Sequence, residues 1–282
     1  MIDLETERRR FAEELRAAAR LTSDALVDAL ARVPRERFLG PGPWLVRGEG
    51  DRAARATPDA DPRHVYQNVS VALDASRDLY NGQPGLVAAW LDDLGIRPGD
   101  HALHIGSGTG YYSALIAELT GAAGHVTAIE VDDALAAHAR TALTPWPWVT
   151  VRQGDGRSSL PPDVDVLIVH AGATHILDAW LDVIREGGRL LVPLTCTLPG
   201  MPASLSKGII VTATRHGDDW TARAGSMVMI YALVGARDDS MNAQLGRALM
   251  SGRAASVSRL RRDPHDPSAD CWLHGSNCLG MG

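Results

Sequence analysis

Basic charge is in short supply in this chain of 282 residues. Its 28 Lys and Arg face 34 Asp and Glu, a formal net charge of −6. That excludes the broad positive footprint on which non-specific nucleic-acid binding depends. Cysteine is scarce as well, with three residues, Cys196, Cys271 and Cys278. An odd and sparse set is no disulfide framework. Cys271 and Cys278 bracket His274, but a zinc site takes four ligands. With no second Cys/His cluster near in sequence, no metal is expected. Aromatic residues amount to 5%, mostly seven Trp and five Tyr. No stretch approaches the ~18 apolar residues of a membrane span. The N-terminus is charged and no apolar h-region follows it, so it does not read as a signal peptide. A soluble, cytoplasmic protein without a membrane or nucleic-acid partner is expected.

Hydrophobic residues make up 45% of the chain, enough for a large core. The length suits one α/β core with additions at both ends. Two helices are predicted over residues 3–33, the second entered through Thr22-Ser23-Asp24 and stopped at Pro34. Residues 40–64, rich in Gly, Pro, Asp and Arg, read as an irregular connection. Strand-like pieces follow over 65–75, and Pro84 opens a helix over 84–95.

From residue 97 strands and helices alternate. Strands are predicted at 101–105, 125–130, 148–152, 164–169 and 189–194, with helices at 112–119, 133–143 and 175–185. That order predicts a doubly wound, mostly parallel sheet, and the nearly all-apolar strands fit burial on both faces. Two further β-like runs, 208–214 and 227–234, are predicted as an antiparallel edge. The tail reads as a helix over 241–250 and a charged, proline-containing linker over 259–270. Three segments result: 1–80, helical and irregular; 81–235, the nucleotide-binding core; and 236–282, a C-terminal extension.

The strongest local signal is Gly106-Ser107-Gly108-Thr109-Gly110, straight after the first core strand and before a helix. Glycines there let the backbone turn sharply and let a ligand approach without a Cβ in the way. Glu130, followed by Val131, ends the next strand, close to the ~20-residue offset of a ribose-binding acid. Gly154-Asp155-Gly156 follows the strand after that, where a short acid would take an adenine amino group. Alone, each has a bland reading: a structural turn, a solvated strand end, a turn cap. Together they mark successive carboxyl ends of parallel strands, where open α/β sheets bind ligands. Gly110 comes two residues after Gly108 and Tyr111 stands at the third position, so the nicotinamide fingerprint Gly-x-Gly-x-x-Gly is not met. This spacing, with Asp155, favours S-adenosylmethionine, with S-adenosylhomocysteine as product. There is no Walker motif for ATP, and no Asn/Asp-Pro-Pro-Tyr or Pro-Cys motif for methylating bases.

Over residues 22–195 the chain resembles the protein-L-isoaspartate O-methyltransferase family. The resemblance is carried by Val33-Pro34-Arg35-Glu36-Arg37-Phe38, by His104-Ile105-Gly106-Ser107-Gly108-Thr109-Gly110-Tyr111 and by Ile129-Glu130. Gly154-Asp155-Gly156, 165–169 and 186–193 continue it. It implies a Rossmann-like methyltransferase acting on a side-chain carboxylate of a peptide or protein. The family usually carries a Ser-x-Pro-His-like segment before the helix that leads into the core. Here Asn81-Gly82-Gln83-Pro84-Gly85 puts Gly82 in the serine's place and Gly85 in the histidine's, which sets ordinary isoaspartate repair in question. Similar enzymes of bacterial peptide-modifying pathways methylate a normal aspartate, and the ester then closes to an aspartimide. Tyr80, Asn81 and Gln83 are candidates to position the acceptor. His170, after the fourth core strand, is a candidate to orient it, or to act as base if the acceptor is a hydroxyl; the bland reading is a satisfied strand-end histidine. A small-molecule methyltransferase and a non-catalytic cofactor-binding partner protein stay open as alternatives, as does the oligomeric state.

Overall fold

The structure, a computed structural model, describes residues 3–51, 53–197, 200 and 205–282. The chain divides into two compact units that cut across the three sequence segments. One holds residues 1–99, 107–126 and 132–151; the other holds 100–106, 127–131 and 152–282.

The first unit opens with α1 (Leu4–Ala19) and α2 (Asp24–Arg32). Asp3 caps α1 by accepting the Thr6 amide at 2.7 Å, and Ser23 caps α2 by accepting that of Leu26 at 3.2 Å. Phe11, Ala12, Leu15, Leu26, Val27 and Leu30 are buried at helical spacing. Val33, in extended conformation ahead of Pro34, ends α2 as predicted. Residues 40–64 are less irregular than expected. They contribute β1 (Leu45–Arg47) and β2 (Arg55–Ala56), which join β3 (Ser70–Asp74) and β4 (Leu79–Tyr80) in an antiparallel sheet of order β2-β1-β3-β4. Leu39, Trp44, Val46, Val65, Val69 and Val71 form a small core there. The unit continues with α3 (Pro84–Leu94), which starts on proline and stops at Gly95 in the left-handed region. It also includes α4 (Tyr111–Thr120) and α5 (Asp133–Ala142).

The second unit holds most of a second sheet. In chain order its strands are β5 (His101–Ile105), β6 (His125–Glu130), β7 (Val149–Gln153), β8 (Val164–Val169), β9 (Ile184–Cys196), β10 (Leu205–His216), β11 (Asp219–Tyr231), β12 (Val257–Arg261), β13 (Cys271–Leu273) and β14 (Cys278–Met281). Among the described residues the sheet order is β13-β14-β12-β11-β10-β9-β8-β5-β6-β7. β5, β8 and β9 run parallel, and β9 through β14 add antiparallel neighbours. β8 is buried along its whole length, as its unbroken apolar run predicts.

Two expectations need correction. The helix predicted over 175–185 is reduced to α6 (Asp178–Asp182). Its last residues are drawn into the sheet instead: Ile184 opens β9 opposite Val164, and the Val164 amide donates to the Val183 carbonyl at 2.8 Å. The linker predicted over 259–270 begins inside β12. The C-terminal extension is therefore part of the second unit's core. Leu245 and Ala248 of α7 (Asp239–Met250) are buried in it with Val257, Leu260, Trp272, Leu279 and Met281.

Candidate functional site

The two units are taken in turn, starting with the strand ends of the second. Backbone bonds tie those ends together: the Gly106 amide donates to the Ile129 carbonyl at 2.8 Å, and the Gly154 amide to the Glu130 carbonyl at 2.9 Å. The predicted cofactor residues Gly106, Glu130, Val131 and Gly154-Asp155-Gly156 thus stand at the carboxyl ends of the neighbouring strands β5, β6 and β7. Glu130 is 7% exposed, whereas Val131 is exposed and its carbonyl accepts from Gln153 Nε2 at 3.1 Å.

Two glycines here are required by geometry. Gly106 has φ +78°, and a Cβ on it would stand 3.4 Å from the His170 carbonyl group. A Cβ on Gly156 would meet Ile105 Cγ2 at 2.2 Å, and the Gly156 carbonyl is held by the indole of fully buried Trp180 at 2.8 Å. The Asp155 carboxylate is gripped by Arg157, whose Nε lies 2.9 and 2.8 Å from its two oxygens. This pairing lowers the carboxyl's pKa, so it stays an anionic acceptor. Arg157 also donates to the Gly235 carbonyl at 2.7 Å. The Arg157 backbone amide also donates to Oδ1 at 2.9 Å and its terminal NH2 to Oδ2, so the carboxylate's four or so acceptor positions are taken and a ligand donor would displace one of these bonds.

His170 continues the β8–β5 pairing through its amide, 2.7 Å from the Ile105 carbonyl. Its Nδ1 lies 3.4 Å from Nε2 of fully buried His104. Burial lowers the His170 pKa to about 4, and burial followed by the neighbouring His170 lowers that of His104. Both rings are neutral near pH 7, which makes His170 a weak base and suits it to orienting a ligand.

The first unit carries Ser107-Gly108-Thr109-Gly110, continuing the loop from Gly106. Gly108 and Gly110 have φ of +56° and +98°. Ser107 Oγ is buried and meets no hydrogen-bond partner among the described residues. A glycine-rich turn with an unpaired hydroxyl, leading into the N-terminus of α4, fits a polar cofactor.

The same unit shows what holds the segment before α3. Asn81 Oδ1 accepts the Val71 amide at 2.7 Å, and the Asn81 amide donates to the Val71 carbonyl at 3.0 Å. Gln83 Nε2 donates to the Asn68 carbonyl at 3.0 Å. Both side chains therefore shape the loop, and any part in positioning the acceptor comes on top of that. The Tyr112 hydroxyl donates to the Gly82 carbonyl, and the Tyr80 ring lies beneath the Arg47 guanidinium at 4.5 Å.

Residue patterns missed the two organisers of this segment. Arg35 is fully buried and donates to the carbonyls of Val65 and Val69 at 2.6 Å and of Gln67 at 3.1 Å. Asn68, held between them, accepts the Gly85 amide at 2.8 Å. The signal for Arg35 was present in the Val-Pro-Arg-Glu-Arg-Phe signature; nothing in the sequence marked Asn68.

Comparison with known proteins bears on the family and the fold. The family model for protein-L-isoaspartate(D-aspartate) O-methyltransferase matches residues 51–201. A protein-L-isoaspartate O-methyltransferase of Ignicoccus hospitalis is 29% identical over 195 residues, covering 68% of this chain and 83% of that protein. One of Methanothermobacter thermautotrophicus is 27% identical over 233 residues, covering 81% and 95%. A solved protein-L-isoaspartate O-methyltransferase shares the fold with a TM-score of 0.65 at 21% identity, over 86% of this chain and 69% of that one. A putative Plasmodium falciparum homologue, solved with S-adenosyl-L-homocysteine, gives 0.61 at 15% identity over 80% and 97%. Among the described residues no helix is long and apolar enough to cross a membrane. By its fold, its glycine loop with the acids that follow it, and the match over residues 51–201, the chain is a methyltransferase that uses S-adenosylmethionine and belongs to the protein-L-isoaspartate O-methyltransferase family.

Proposed function

We propose that this chain methylates a side-chain carboxylate of an aspartyl or isoaspartyl residue in a peptide or protein. The observation that carries the reading is the alignment of Gly106, Glu130 and Gly154 at tied strand ends, within a chain of this family. S-adenosylmethionine supplies the electrophilic methyl group. Glu130 would accept from the ribose hydroxyls and Asp155 from the adenine amino group, while the Gly106–Gly110 turn admits the cofactor's backbone. The acceptor carboxylate is already anionic near neutral pH, so no strong base is required. The chain's work is to align the two reactants and exclude water. Neutral His170 would donate or accept one orienting hydrogen bond. Asn81, Gln83 and Tyr80 would bound the acceptor's path.

The finer reading is a normal aspartate in a peptide under maturation. It rests on Gly82 and Gly85, which remove two polar side chains that family members usually place at the entry to α3. Once the ester forms, the amide nitrogen of the following residue attacks its carbonyl carbon, methanol leaves, and an aspartimide ring closes. An assay with labelled methyl donor tests this against an isoaspartyl peptide, its aspartyl twin and peptides of the native host. Base-labile label on the aspartyl or host peptide, followed by loss of methanol, is the expected result. Label on the isoaspartyl peptide alone would restore the repair reading, and label on none would move the assignment to a small-molecule acceptor.

A further inference from the structure

Outside the methyl-transfer residues, one side-chain cluster in the second unit remains without a role. The sequence offered Cys271, His274 and Cys278 and lacked a fourth ligand. The structure supplies it: His265 folds in from the segment after β12, and the ligand atoms of His265, Cys271, His274 and Cys278 all lie within 4.8 Å of one another. We propose that these four residues form a structural zinc site that pins the C-terminal strands to the sheet.

The spacing fits a tetrahedral ion. Zinc bonds of about 2.3 Å to sulfur and about 2.0–2.1 Å to nitrogen put S and N about 3.6 Å apart at tetrahedral angles. Cys271 Sγ lies 3.6 Å from His265 Nε2 and 3.7 Å from His274 Nδ1. The two imidazole rings stand at 81° with centroids 5.0 Å apart, edge-on rather than stacked, so both nitrogens are able to point at one centre. Two thiolates also cancel the charge of one zinc ion. The site would be neutral overall, which suits three half-buried ligands and a buried fourth, Cys278.

The surroundings fit as well. A metal-bound histidine usually donates its other ring nitrogen to a carbonyl or carboxylate, which sets the tautomer. His265 Nδ1 lies 2.7 Å from the Asp263 carbonyl, leaving Nε2 for the metal. Asp263 is itself held by Arg261, whose Nε is 3.0 Å from Oδ1. Cys271 opens β13 and Cys278 opens β14, paired antiparallel, and Cys278 lies opposite Arg261 of β12. One ion would therefore join two strands at the sheet's far edge, β13 and β14, with the turn between them and the segment between β12 and β13. A site with four protein ligands has no open position for a substrate, so its role is stability. Both thiols release their protons on binding.

The test is the full-length chain purified without chelator in the presence of zinc. We expect about one zinc per chain by elemental analysis, and cobalt substitution should give the intense visible bands of a tetrahedral thiolate complex. Cys271→Ser and His265→Ala should each release most of the zinc, and strong chelation should lower the Tm and expose residues 262–282 to protease. The cobalt spectrum of the unaltered chain keeps the test open if a variant fails to fold. Absence of bound zinc, retention of zinc in both variants, or a Cys271–Cys278 disulfide in freshly purified protein would overturn the proposal.

Discussion

The Asn68 side chain accepts the Gly85 amide at 2.8 Å, so the entry to α3 is fastened to the loop before β3. The fastening leaves no room for a larger residue, because a Cβ on Gly85 would stand 2.9 Å from Asn68 Nδ2. The position where family members often have histidine is thus closed here by a neighbouring amide. Arg35 completes the arrangement by holding the carbonyls on both sides of Asn68.

Gly85→Ala should destabilise the protein by about 1–3 kcal/mol, the usual range for overpacking a filled site. Acceptor turnover should fall while cofactor affinity stays near its original value. Thermal melts with calorimetry of cofactor binding check this; unchanged stability would mean that Asn68 yields without cost.

Arg35→Met removes three hydrogen bonds, two of them to buried carbonyls. A hydrogen bond to a charged group is worth about 1.5–3 kcal/mol and a buried acceptor left unpaired costs about 1–3 kcal/mol, so denaturant unfolding should show a drop of at least that size. Arg35→Lys should recover part of it, since one ammonium cannot reproduce the fork of a guanidinium.

Glu130→Ala should weaken S-adenosylmethionine binding by about 10- to 100-fold, matching the ~1.5–3 kcal/mol of hydrogen bonds to a charged group. Glu130→Gln should lie between the two. Calorimetry measures both, and unaltered affinity would remove Glu130 from the cofactor site.

His170, with a folded pKa near 4 against an ordinary value of 6.5, binds its proton more weakly when folded than when unfolded. The unfolded chain takes up protons first as the pH drops, so the stability held above about pH 6.5 is lost progressively towards pH 4. His170→Asn should flatten that loss in melts recorded across this window. Methyl transfer should show no inflection from His170 between about pH 6 and 8, because the ring is neutral throughout.

Most of the parallel core was legible because strands buried on both faces leave unbroken apolar runs, as in 164–169, and because the glycine turn sits between a strand and a helix. Cap residues such as Ser23 and Pro84 marked helix starts through local chemistry. Three features were not legible. The helix expected over 175–185 shrank at its end because Ile184 and Arg185 were taken into β9, a pairing set by Val164, twenty positions away. Asp155 read as a ligand acid, yet its salt bridge to Arg157 appears only when the turn is folded. Asn81 and Gln83 read as acceptor contacts, while their hydrogen bonds to Val71 and Asn68 give them a place in the loop's own architecture.

By itself the sequence determined the α/β class and the family, since each is written in short runs of neighbouring residues. The tertiary structure alone decided that Leu245, Leu260, Trp272 and Leu279 of the C-terminal extension are buried in the second unit's core, and that His265 joins Cys271, His274 and Cys278. The reason is physical: a strand's partner is chosen by burial and sheet register, which act between residues far apart in the chain, whereas His265 lies only six residues before Cys271 and joins the cluster through the fold of the segment between β12 and β13.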